Sequence, residues 1–363
     1  MGCLRLFLAV AVVVEHAPLF GTVRLFGGTN AVEIFFMLSG FYMALVLDGK
    51  YGTASWTEIS TFYLSRFFRL WPTFLLTTLA GYALWLVHYV RLGHAPMAAG
   101  PIMEWAGVPF AIAARFSNVF MIGQDVPSWF HVSEAGGLRL TFGMPWTLPD
   151  GSLWAGYARE IGPAWSIGTE IWFYLLAPFL MRARSAALLV LAAAGLGLRY
   201  YMVEMRGLTG YFFFPTQLPL FLAGALAYRA RDTTFLKHRA MALLPLIVVL
   251  GWTAAQWVVS IDRMFNWAFY LVIALGLPAL FASTKDYARD RTIGELSYPV
   301  YIVHMLLAGL LSATLRRWNL TATGELLLLL VLPVSYAIFQ FVERPVDRWR
   351  QTIATRRLAT AAS

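Results

Sequence analysis

Ten stretches of this chain are apolar for about the length of a membrane crossing, and that leaves few folds open to it. They fall near 4–20, 31–48, 70–90, 161–181, 186–204, 211–229, 241–260, 265–283, 296–315 and 325–343. Runs such as Trp172–Leu180, Ala186–Leu198 and Leu326–Leu332 hold no charged residue at all. With 59% hydrophobic and 13% charged residues, the composition matches no ordinary soluble domain. The expected fold is an all-α, polytopic membrane bundle of about ten transmembrane helices. It forms one membrane domain over 1–345, followed by a basic tail at 346–363.

The net charge of +9 does not point to nucleic acid, because the basic residues flank apolar runs instead of interleaving with aromatics on a soluble face. They read as positive-inside anchors. A weaker run at 107–123 holds Arg115, Ser117 and Asn118, and the anchors decide whether it crosses. If it does not, Lys50, Arg66, Arg69, Arg182, Arg184, Arg229 and the later basic clusters share the cytoplasmic face with both termini. If it does, every later cluster moves outside. Ten crossings therefore fit better, with 91–160 as one long extracytoplasmic segment in which 107–123 either dips back into the membrane or lies on its surface. The single Cys3 excludes an intramolecular disulfide and a cysteine-based metal site, and no HxxxH or HxxHH box is present, so no metal is expected. Glu15 and His16 interrupt the first apolar run and no small-residue cleavage site follows, which predicts a retained helix.

Ionisable groups inside such segments are costly and mark a pathway or a reaction site. Arg5 and His16 are eleven residues apart, which on a helix puts them on one stripe, roughly 16 Å apart along the axis. His16 lies near the outer end of the first helix and Glu33 near the outer start of the second. A short connection makes these helices antiparallel neighbours, with both groups at similar depth. A carboxylate beside a histidine fixes its tautomer and raises its basicity, as a general base requires. Glu15 is adjacent on the helix and does not face His16. The plainer alternative is a buried structural pair.

Arg66 and Arg69 sit three apart, so both guanidiniums share one helix face at the cytoplasmic boundary. They either clamp phosphates bidentately or simply anchor topology. Glu170 is near mid-membrane with Ser166 one turn above, suited to orienting a substrate hydroxyl, holding an arginine or carrying protons. Ser297, Tyr301 and His304 share a face, with His304 as a second base or as a packing histidine. Glu343-Arg344-Pro345 reads as a helix stop with a charge pair.

Five segments carry a family pattern in order over nearly the whole chain: Arg5-x10-His16; Val32-Glu33-Ile-Phe35-Phe36-Met-Leu-Ser39-Gly40-Phe41; Arg66-Phe-Phe-Arg69-Leu-Trp-Pro72; Trp165-Ser166-Ile-Gly-Thr-Glu170 with Phe173-Tyr174; and Leu296-Ser297-Tyr298 with Tyr301 and His304. Together they resemble the acyltransferase 3 family of integral membrane O-acyltransferases. Glu stands at 33 where Asp is more frequent, and Ile at 167 in place of Leu. The resemblance implies transfer of an acyl group, commonly acetyl, to a hydroxyl of an extracytoplasmic or lipid-linked carbohydrate. The donor is cytoplasmic acyl-CoA (acetyl-CoA), a co-substrate and not a permanently bound cofactor. It implies residence in the lipid bilayer of a bacterial inner membrane.

Carried over by position, His16 is the catalytic base, and Arg5, Arg66 and Arg69 contact the donor. Glu33 then orients the imidazole, Glu170 belongs with the catalytic groups, and Ser166, Tyr301 and His304 are candidates for the oxyanion or the acceptor. The donor's phosphates stay on the arginines while its pantetheine arm threads towards His16. The other reading is a proton-coupled transporter or flippase, with His16, Glu33 and Glu170 as its relay.

Overall fold

The computed structural model describes residues 1–52, 55–92, 99–135, 137–143, 148, 151–236, 238–256 and 263–362. Each of the ten apolar stretches falls on a helix. In chain order the helices are α1 (Gly2–His16), α2 (Gly28–Lys50), α3 (Trp56–Leu92), α4 (Ala99–Ala106), α5 (Val108–Phe120), α6 (Trp165–Leu180), α7 (Ser185–Tyr200), α8 (Phe214–Arg229), α9 (Leu244–Gln256), α10 (Arg263–Thr284), α11 (Ala288–Glu295), α12 (Ser297–Leu315), α13 (Gly324–Ile338) and α14 (Arg344–Ala362). Among the described residues, six helical stretches are long and apolar enough to cross a membrane: 28–50, 56–91, 185–205, 267–284, 288–318 and 324–359. Helices α1, α6, α8 and α9 are shorter, at 15, 16, 16 and 13 residues.

Two helix boundaries differ from the sequence expectation. Helix α3 begins at Trp56, well before 70, because nothing between Ser55 and Pro72 breaks it, and the Ser55 hydroxyl accepts from the Glu58 amide at 3.2 Å. Arg66 and Arg69 therefore project from the interior of a long helix. At the other end, Glu343-Arg344-Pro345 does not stop the chain. A π-turn over Phe339–Glu343 absorbs one extra residue, Pro345 falls in the first turn of α14, and the helix runs on. Helix α14 then packs along α3, with Arg350 donating to Ser65 Oγ at 2.5 Å and Arg357 to Ser60 Oγ at 3.2 Å.

Helix α2 is the axis of the bundle and meets α8 backbone to backbone. A methyl group placed on Gly40 would lie 1.9 Å from the Phe221 carbonyl oxygen, and one on Gly224 would lie 1.8 Å from that of Met37. Small residues at such crossings let two backbones approach where lipid offers no hydrophobic drive for association. Aromatic stacking fills the flanks, Phe36 on Phe221 at 4.7 Å and Phe173 on Phe221 at 4.3 Å between centroids.

Between α3 and α6 lies a small cap. Strands β1 (Phe130–Ser133), β2 (Gly137–Leu140) and β3 (Ser152–Trp154) form an antiparallel sheet in the order β2-β1-β3, with Val132 opposite both Leu138 and Leu153. Ile102 of α4 packs with Val132, Ala155 and Ala158 into a separate core. Helix α5 lies on α3, where Trp71 Nε1 donates to the Val119 carbonyl at 2.9 Å. The chain then turns through Met121 and Gly123, at φ 58° and 73°, and wedges against α6. There Asp125 accepts from Trp172 Nε1 at 3.2 Å, and its amide nitrogen occupies the space that a side chain at Gly168 would need. The stretch 107–123 itself buries only one face, through Ala114, Ser117, Asn118 and Met121, and leaves Val108, Ile112, Phe116 and Phe120 exposed; the buried wedge is the chain that follows it. Gln124, Asp125 and Ser128 are fully buried, and Arg159 ties them together through the Gln124 carbonyl at 3.2 Å and Ser128 Oγ at 2.5 Å.

Two predictions come from this packing. Gly40→Ala should lower stability by about 2 kcal/mol or more by forcing α2 off α8, whereas Gly49→Ala, with nothing near it, should be close to neutral; denaturation in detergent separates the two. Burial pushes the Asp125 carboxyl up from 3.8 to about 6, against the pull of the surrounding amides, Trp172 and the Arg159 charge. A carboxyl raised in the folded state contributes stability that is whole below its unfolded pKa and lost as pH rises through the folded one. The unfolding temperature should therefore fall between about pH 4 and about pH 6.5. Asp125→Asn, which keeps an acceptor for Trp172, should flatten that decline.

Candidate active site

Helices α1, α2, α3, α6 and α12 enclose a cavity of about 220 Å³. Arg5 from α1, Ser39 and Tyr42 from α2, Arg66 and Arg69 from α3, Ser166, Glu170 and Tyr174 from α6, and Tyr298 and Tyr301 from α12 all face it. Five of the residues picked from the sequence as donor, catalytic or oxyanion groups on three helices, together with Tyr301 on a fourth, are thus brought to one space.

The arginines are not equivalent. Arg69 reaches Glu343 at 3.9 Å, and Glu343 is itself held by Thr73 Oγ1 at 2.8 Å. Arg5 lies over the Tyr42 ring at 5.9 Å and Arg66 over the Phe62 ring at 5.8 Å, and neither is ion-paired among the described residues. The Arg66 Nε atom is buried with no hydrogen-bond partner. Both guanidiniums are half-buried, and no carboxylate lies at ion-pair distance from either among the described residues.

Glu170 lines the same cavity and its charge acts on Arg5, while Ser39 Oγ donates to its Oε1 at 2.6 Å and the Tyr174 hydroxyl donates to the same oxygen. At the far end of the cavity the Ser166 and Tyr301 hydroxyls meet at 2.8 Å, and both lie within hydrogen-bond distance of the Pro163 carbonyl. Beyond Tyr301 stand the two histidines. The His304 ring is 6.1 Å from Tyr301 and 5.1 Å from His16. His304 is fully buried and His16, at the end of α1, is exposed.

The expected pairing of Glu33 with His16 is not found. Glu33 is 1% exposed and accepts from Arg199 at 2.7 Å on one oxygen and from the Tyr270 hydroxyl on the other. His16 Nδ1 instead lies 2.9 Å from the carbonyl of Val12, one turn back on its own helix. Similar depth on neighbouring helices did not make the two groups face each other, because a buried carboxylate takes the nearest cation, here one from α7 that stacks on Trp267 at 5.0 Å. Arg199 was the overlooked partner. A lone cation inside the apolar stretch 186–204 was its signal, since such a charge needs an acid. Ser39, Tyr42 and Tyr174 were also passed over, although Tyr174 follows Glu170 by four residues and Tyr42 follows Ser39 by three, the spacings of one helix face.

Residues 1–340 match the family described as an acyltransferase domain, acyltransferase 3. The chain belongs to that family. It is 26% identical to Nodulation protein 10 of Rhizobium leguminosarum bv. viciae over 386 aligned positions, covering 99% of this chain and 95% of that protein. An uncharacterized protein of Aquifex aeolicus (strain VF5) is 25% identical over 209 positions, covering 53% of this chain and 90% of its own length. No solved structure matches. Fold and family together define a multi-pass membrane O-acyltransferase.

Breaking a buried ion pair leaves a stranded charge, at about 3 kcal/mol or more. Arg199→Ala should therefore destabilise the bundle by that order. The double variant Glu33→Gln with Arg199→Gln should lose less than the sum of its single changes in the same denaturation assay.

Proposed function

We propose that the cavity receives the phosphates and pantetheine arm of acyl-CoA, with acetyl as the acyl group, and that His16 is the general base for its transfer to a carbohydrate hydroxyl. What carries the reading is the pair Arg5 and Arg66, two half-buried cations that face one cavity with no carboxylate at ion-pair distance among the described residues. On the reading of ten crossings with both termini cytoplasmic, the arginines lie on the donor's side of a bacterial inner membrane and His16 towards the extracytoplasmic or lipid-linked acceptor. The distance of roughly 16 Å along α1 between Arg5 and His16 suits an extended arm.

The acceptor hydroxyl attacks the thioester carbonyl as its proton passes to His16 Nε2. The new O–C bond forms, the C–S bond breaks, and the thiolate leaves and takes up the proton from His16. General-base assistance of this kind contributes roughly 10²–10⁴ in rate. The Ser166 and Tyr301 hydroxyls, now turned to each other and to Pro163, are the donors for the tetrahedral oxyanion once the thioester parts them. Glu170 holds Ser39 and Tyr174 in the wall of the arm's path. A proton relay for a transporter is less well supported, since Glu33 and Glu170 bond to separate sets of partners.

In proteoliposomes supplied with labelled acetyl-CoA and a carbohydrate acceptor, His16→Ala should abolish product while donor binding persists. Wild-type yield from that variant would remove the base assignment. Arg66→Ala should weaken donor binding about tenfold to a hundredfold, the worth of one charge-assisted hydrogen bond. An unchanged affinity would return Arg66 to the role of anchor.

A further inference from the structure

We infer that His304 is the positioning partner of His16 and stabilises the proton that His16 takes from the acceptor. The inference rests on the reading of His16 as base. Both rings are anchored in the same sense. His16 Nδ1 lies 2.9 Å from the Val12 carbonyl and His304 Nδ1 lies 2.7 Å from the Tyr301 carbonyl. A carbonyl oxygen only accepts, so each Nδ1 carries the hydrogen and each Nε2 carries a lone pair. With Nδ1 of each ring held to its own helix, the two rings pack together at 5.1 Å between centroids, one from α1 and one from α12.

His304 Nε2 is buried and has no hydrogen-bond partner among the described residues. A desolvated lone pair of that kind is unfavourable until a donor reaches it. Neutral His16 offers only another lone pair. Protonated His16 offers both an N–H and a positive charge. The contact therefore gains strength only as the proton moves, which is when a catalytic interaction is useful.

Other charged or titratable groups around the pair are engaged elsewhere. Glu15 bonds to Arg24 at 3.0 Å, Glu325 on α13 accepts from the Phe20 amide at 2.9 Å, and Arg159 is held by Gln124 and Ser128. Tyr301 is bonded to Ser166, and Glu33 to Arg199. The carboxylate that would ordinarily support such a base is replaced by a second imidazole.

The test is the pH profile of kcat/KM for wild type and His304→Gln, with donor affinity measured alongside. Losing the partner should lower the proton affinity of His16. The acid limb should then move about one unit towards lower pH and the plateau should fall about tenfold, with donor affinity unchanged. An unmoved limb with a lowered plateau would reduce His304 to packing. Transfer that survives His16→Ala would instead remove the base itself, and the two failures are distinct. Should His304→Gln not fold, ¹⁵N spectra of histidine-labelled wild type decide the matter: at least two of the six histidines should show the Nδ1–H tautomer. Nε2–H tautomers throughout would overturn the inference.

Discussion

The contact of α2 with α8 through Gly40 and Gly224 fixes the rest of the bundle. Two helices that touch at their backbones cannot slide or rotate without a carbonyl oxygen striking a Cα. Every side chain on α2 is thereby set in azimuth. Ser39 is turned onto Glu170, Phe36 onto Phe221, and Glu33 onto the Arg199 of α7. The glycine in the Ser39-Gly40-Phe41 motif thus acts at a distance from any chemistry, by holding the helix that half of the cavity is built on.

The cavity is the reverse of a self-satisfied core. Elsewhere in the bundle buried charges are matched, Glu33 by Arg199 and Glu343 by Arg69 and Thr73. Around the cavity Arg5 and Arg66 lie over aromatic rings and have no carboxylate at ion-pair distance among the described residues. Cation–π contacts are worth about 0.5–2 kcal/mol, too little to replace the hydration of a guanidinium. The fold around the cavity therefore holds two half-buried cations short of an ion-pair partner, and that cost is borne by packing far from the site.

The helices were legible in the sequence because apolar length in a membrane protein is almost a direct readout of structure. Among the described residues each of the ten stretches lies largely on a helix, and the family motifs led to Arg5, Arg66, Arg69, Ser166, Glu170 and Tyr301, which meet at one cavity. What was not legible was rotation. Hydropathy gives depth along a helix but not which neighbour a side chain faces, and this is why Glu33 was matched with His16 instead of Arg199. The segment around Asp125 was hidden for a related reason. It falls in the long extracytoplasmic segment 91–160, whose packing hydropathy does not report, whereas Gln124, Asp125 and Ser128 are buried with Arg159 against α6.

That wedge also orders events in time. Its seat on α3 is complete early in synthesis, but its seat on α6, at Gly168 and Trp172, emerges some forty residues after Asp125. Until α6 is in place, a buried-to-be carboxylate and its arginine stay in water, where their solvation is cheap. Docking the wedge therefore waits for α6, and the cap joins the bundle only once that helix has been made.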